Sequence, residues 1–141
     1  MASGDKVWLG AEATVDGRPM LVRSRDPAGT EPDPTRPNLL VVDLSYPIRD
    51  DIQLPSGQDY GLIAKFEAQA FDAYDTVADP ELVFVETGAG RIRYYCYASD
   101  LERAMDLIEE ASEGLEALAF SSTEDPQWLI YRDRASRLRF E

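Results

Sequence analysis

Glu81-Leu-Val-Phe-Val-Glu-Thr-Gly-Ala-Gly-Arg-Ile-Arg-Tyr-Tyr-Cys-Tyr97 is the stretch whose reading decides the fold. Seven residues rich in β-branched and apolar side chains reach a Gly88-Ala-Gly90 turn, and an aromatic run of similar length leaves it. Two such runs around glycines predict an antiparallel hairpin. On the second strand Ile92, Tyr94 and Cys96 share one face, and Arg91, Arg93, Tyr95 and Tyr97 share the other. Both faces are partly apolar, so each needs a cover or a ligand.

Downstream, the hydrophobic period changes from two to about 3.6 and back. Ser99-Asp-Leu-Glu102 reads as a capping box that starts a helix. Leu101, Met105, Ile108, Ala111/Ser112 and Leu115 form its apolar stripe, and Gly114 is the expected stop. Ala117–Ser121 returns as a short strand. Asp125-Pro126 then reads as an N-cap followed by proline at the first helical position, opening a short helix with Trp128 and Tyr131.

Upstream, Asp16-Gly17 between two alternating runs, Val7–Val15 and Arg18–Arg25, predicts a hairpin. Residues 26–38 contain four prolines and are expected to be an exposed, partly mobile loop. Leu39–Tyr46 is a nearly continuous apolar run ended by Pro47, as in a central strand buried on both sides. Asp43 within it is read as a structural hydrogen-bonding group. A helix is expected from about Gln58, with Ile63, Phe66, Ala70, Ala73/Tyr74 and Val77 on its packed face, ending at Asp79-Pro80. The order ββ-βαββαβ-α describes one α+β domain over residues 1–141. Its middle six elements follow the ferredoxin-like order, an antiparallel sheet with two helices on one face. Trp8, Phe66, Phe84, Tyr94, Ile108, Phe120, Trp128 and Tyr131 are the expected structural anchors.

Charge is the main clue to function. The 141 residues carry a formal charge of −13, and residues 99–125 hold nine acids and one base. Such a field favours a basic partner and opposes nucleic acid, whose phosphates it repels. The chain has no histidine, which removes the commonest general base and metal ligand. No glycine-rich phosphate loop with lysine, nucleophile elbow or cysteine cluster is present. Lone Cys96 reads as a small buried hydrophobe. No metal, cofactor or catalytic residue is assigned. The first residues lack a basic and apolar leader and no run approaches the ~20 apolar residues of a membrane span, so the expected location is cytoplasmic.

Asp16-Gly-Arg-Pro19 with Arg23, Tyr46-Pro47, Phe66-Glu67, Thr87-Gly-Ala-Gly-Arg-Ile-Arg-Tyr-Tyr-Cys-Tyr97 and Asp125-Pro-Gln-Trp128 with Tyr131 come in the sequence order of a known family. Together they resemble the bacterial family catalogued as domain of unknown function 695, over nearly the whole chain. The resemblance implies a fold but no activity. The aromatic close and the acidic body are also similar to the ribonuclease E inhibitors called regulator of ribonuclease activity B, which implies a protein partner.

The expectation is therefore a non-enzymatic acidic module that docks on a basic protein partner through Asp106, Glu109, Glu110 and Glu113. The alternative is an RNA- or small-ligand-binding sheet face built from Arg91, Arg93, Tyr95 and Tyr97, which requires that face to be open. A structural reading of the same tyrosines has them covered by the N-terminal hairpin. A hydrolase built from converging carboxylates would need acids gathered in a deep cleft.

Overall fold

A computed structural model describes residues 8–71, 80–113, 115 and 117–138. The elements are β1 (Trp8–Val15), β2 (Arg18–Arg25), β3 (Asn38–Ser45), α1 (Gly57–Phe71), β4 (Glu81–Gly88), β5 (Arg91–Ala98), α2 (Leu101–Ala111), β6 (Ala117–Glu124) and α3 (Leu129–Ser136). The expected helical positions Ala73/Tyr74 and Val77, the stops at Asp79 and Gly114, and Val7 lie outside the described residues. No helix among the described residues is long and apolar enough to cross a membrane.

The strands form one six-stranded sheet in the order β1-β2-β4-β5-β3-β6, antiparallel at every step. Both hairpins turn through two residues of positive φ, Asp16 (52°) with Gly17 (77°) and Ala89 (55°) with Gly90 (79°). Those signs at both central positions match the right-handed twist of the flanking strands. At Gly90 the fit is also steric, since a Cβ there would come within 2.9 Å of the Ile48 side chain.

The N-terminal hairpin does not lie over the sheet. Leu21 to Ser24 of β2 pair with Thr87 to Phe84 of β4, so the hairpin widens the sheet edgewise. Its edge strand, β1, carries Glu12 near its centre.

Strand alternation divides the protein into two cores. On one face Leu40, Val42 and Leu44 of β3 and Ile92, Tyr94 and Cys96 of β5 meet Ile63, Phe66 and Phe71 of α1 and Ala104 and Ile108 of α2. On the other, Val22, Leu39, Val83, Phe84, Tyr95 and Tyr97 meet Trp128, Tyr131 and Ala135. Each large side chain buried this way stabilises the fold by roughly 1.5–3 kcal/mol. Phe66, Phe84, Tyr94, Ile108, Trp128 and Tyr131 are among the most deeply buried residues, while Trp8 and Phe120 pack at the margin of the first core.

Local boundaries depart from the sequence reading in four places. Asp100 rather than Ser99 caps α2, its carboxylate accepting from Arg103 N at 3.1 Å. A carboxylate there also meets the positive end of the helix. β6 runs on to Glu124, because its whole length pairs with β3. Asp125-Pro126 opens a turn and α3 begins only at Leu129, with Trp128 at φ 56° between them. Finally, segment 26–38 is anchored rather than wholly exposed: Thr30 and Arg36 are buried, and Arg36 bonds Asp33 and Glu81.

Candidate functional site

The two surfaces singled out by sequence have opposite fates. Tyr97 is fully buried, its ring stacked on Trp128, and its hydroxyl donates to Asp125 Oδ2 at 2.6 Å. The same carboxylate accepts from Leu129 N and Ile130 N, each at 2.9 Å, and so caps α3 from four residues away. Trp128 Nε1 donates to Arg36 O at 3.0 Å and the Tyr131 hydroxyl to Arg25 O at 2.8 Å. Desolvation by burial, reinforced by Asp125, raises the Tyr97 pKa far above its ordinary value. The Asp-Pro-x-Trp-x-x-Tyr close is thus the latch of the second core.

Tyr95 is buried beside it, donating to Glu86 Oε1 at 3.0 Å beneath the Arg134 guanidinium, 4.9 Å from its ring centre. Burial first, then the Glu86 charge, push its hydroxyl up to about 12. Arg93 Nε donates to Asp43 Oδ1 at 2.8 Å, and Arg91 is exposed at the strand's start. An open aromatic platform of Arg91, Arg93, Tyr95 and Tyr97 is therefore not what the fold provides. The cover is α3, whose aromatic residues need the apolar rings beneath them, and the N-terminal hairpin lies elsewhere.

The acids of α2 are on the surface. Glu102, Asp106, Glu109 and Glu110 are exposed along the helix, and Glu113 is exposed just after it. At ~100° per residue, with Ala104 and Ile108 facing the sheet, Asp106 points to solvent. Glu110, and Glu113 just beyond the helix, line a groove with Leu62, Lys65 and Phe66 of α1. Glu102, absent from the sequence-selected set, lies with Glu109 on the flank away from α1. The four selected acids thus share one helix surface without converging on a point.

Arginines explain why this surface stays charged. Arg23 holds Glu67 through two bonds of 3.1 and 2.8 Å, and Tyr94 donates to the same carboxylate. Arg25 holds Glu81, Arg49 holds Asp59, Arg93 holds Asp43 and Arg134 meets Glu86. Among the described residues, none of the α2 acids from Glu102 to Glu113 takes part in an ion pair. All of these arginine pairs but Arg49–Asp59 link positions more than forty residues apart, so sequence periodicity carries no sign of them.

A concavity of about 710 Å3 lies on α2 itself, lined by Asp100, Arg103, Asp106, Leu107 and Glu110, and two more lie away from it. One of about 320 Å3 lies between α1 and β2, lined by Leu21, Arg23, Tyr60, Ile63 and Glu67. Another of about 380 Å3 lies on the outer face, between α3 and β6, with Val41 in its floor and Ile130 and Arg134 in its wall. Among the described residues no three His, Cys, Asp or Glu side chains stand close enough to hold a metal ion.

Fold and surfaces together define a two-core α+β domain with an aromatic latch and an acidic helix. The family model described as family of unknown function (DUF695) matches residues 6–134, and the chain belongs to that family. No curated protein and no solved structure matches it.

Proposed function

We propose that the protein is a non-enzymatic acidic module that docks on the basic surface of a protein partner through α2, displayed on a ferredoxin-like βαββαβ core. The ferredoxin-like reading is supported by the order β4-β5-β3-β6 with α1 and α2 on one face. The hairpin and α3 are then additions to that core.

One observation carries the docking reading: the acids fall into two populations. The buried and half-buried acids of the sheet and α1, such as Glu67, Glu81, Asp43 and Asp59, are matched by arginines. Those on α2 stand unmatched at spacings of three and four residues, Glu102–Asp106–Glu110 and Asp106–Glu109–Glu113. Like charges at these spacings destabilise a helix by roughly 0.2–0.5 kcal/mol per pair. A basic partner turns that cost into attraction and speeds association at low salt.

The test is capture by tagged protein from its native lysate at low salt, with stepwise salt elution. A stoichiometric basic protein released at moderate salt supports docking. Recovery of nucleic acid alone, or of nothing, overturns it.

A further inference from the structure

Among the described strands, β6 leaves one edge unpaired. β6 is the last strand of the sheet and pairs only with β3 among the described strands. Its sequence, Ala117-Leu-Ala-Phe-Ser-Ser-Thr-Glu124, carries no lysine, arginine or proline and a single charge at its end. Strands in that position are commonly guarded by such residues, because a row of open backbone donors and acceptors recruits another strand. The register shows which groups are open. Asp125 N donates to Pro37 O, so residues 123, 121 and 119, which alternate with it, also face β3. The N–H and C=O groups of Leu118, Phe120 and Ser122 therefore point outward.

What the edge would receive follows from its two flanks. α1 reaches β2 on one side through Glu67–Arg23 and α2 on the other, which sets α2 over β3 and β6. Leu118 and Phe120 accordingly pack at the margin of the core that holds Ala104 and Ile108. On the side of α2 turned from α1, Leu101 and Met105 pack on the core and Glu102 and Glu109 are exposed above them. On the outer face Ala119, Ser121 and Thr123 are small, and the groove floored by Val41 opens beside them. Two strand spacings, roughly 10 Å, separate an added strand from β3, so a bulky side chain leaning over Ser121 covers Val41.

We infer that β6 accepts an extended segment of the basic partner as a seventh strand, with Lys or Arg on alternate residues facing Glu102 and Glu109 and bulky apolar residues between them facing the outer groove. The segment adds backbone hydrogen bonds to Leu118, Phe120 and Ser122, as in strand-addition recognition. A second copy of this chain is disfavoured as occupant. Two-fold pairing of β6 would bring two acidic α2 flanks together, on chains that each carry −13. The inference rests on the acidic docking reading and names its mode.

The test uses the full chain and a fluorescent, end-capped peptide long enough to span β6, alternating Lys with Val and Tyr. Its partners are the same peptide N-methylated on the edge-facing amides, a version with Glu for Lys, and the protein variant Ser122→Pro. That variant removes one outward N–H from an edge strand and leaves the bonds to β3 intact. Strand addition predicts binding of the parent peptide, and about tenfold or greater loss on N-methylation, on Ser122→Pro and on charge reversal. Equal binding of parent and N-methylated peptides overturns strand addition, and if that binding is salt-sensitive, acidic docking stands. No binding of either basic peptide at low salt overturns both. Self-association of the free protein that Ser122→Pro abolishes assigns the edge to a second copy and overturns the basic segment.

Discussion

The rings of Tyr97 and Trp128 lie stacked, their centroids 4.4 Å apart and their planes 10° from parallel. Tyr97 lies near the end of the central strand β5 and Trp128 precedes α3, so this contact fixes the last helix on the sheet. Trp128 holds a left-handed backbone conformation that a bulky residue rarely adopts, and the stack and its bond to Arg36 O compensate. Trp128→Ala is expected to cost about 3–5 kcal/mol. Urea unfolding gives the loss, and near-ultraviolet circular dichroism reports release of the aromatic cluster.

Asp125 serves two elements with one carboxylate, capping α3 and accepting from Tyr97. Asp125→Ala should cost about 3 kcal/mol, with Asp125→Asn intermediate. In a double-mutant cycle Tyr97→Phe should cost about 1–2 kcal/mol less in the Asp125→Ala background than in the wild type. Strict additivity would show that the hydroxyl and carboxylate act independently.

The raised pKa values of Tyr95 and Tyr97 set the alkaline limit. Both favour the neutral phenol in the folded state, so their stabilisation is complete below the unfolded value of about 10 and is lost as pH climbs above it. Urea midpoints should be insensitive to these groups up to about pH 9 and fall beyond about pH 10. Tyr97→Phe should flatten the fall while lowering stability at neutral pH.

Glu67 is the hub between α1 and the widened sheet. Removing it takes away three hydrogen bonds at once, two from the Arg23 guanidinium and one from the buried Tyr94 hydroxyl, whereas removing Arg23 leaves Glu67 still bonded to Tyr94. Glu67→Ala should therefore cost about 3 kcal/mol and Arg23→Ala about 1. Equal losses in chemical unfolding would refute this ordering.

The hairpin at 81–97, the glycine turns and the two-faced strand β5 were legible because each depends on neighbours in sequence. So were the anchors Trp128 and Tyr131, and the inward Cys96. What covers Tyr95 and Tyr97 was not legible. Whether the hairpin or α3 lies over them depends on β2 pairing with β4, a contact between residues about sixty apart. Asp100 is hard to recognise as the cap from sequence, because Ser99 completes a capping-box pattern and the local signals compete. The acidity of α2 was plain, but its lack of partners emerges only once each arginine has been placed. The free edge of β6 is likewise a property of strand order, invisible to periodicity.

Replacing Glu102, Asp106, Glu109, Glu110 and Glu113 by glutamine should leave stability within about 1 kcal/mol of the wild type, because no internal partner is lost and like-charge pairs are relieved. The direct test of the acidic docking surface is then the association rate of the captured basic protein, measured at low and high ionic strength with wild type and this variant. Docking through α2 predicts a wild-type rate that falls steeply as salt is added, and a variant that is slow at low salt and nearly indifferent to it. A wild-type rate unchanged by salt, or a variant as fast as the wild type, would contradict it.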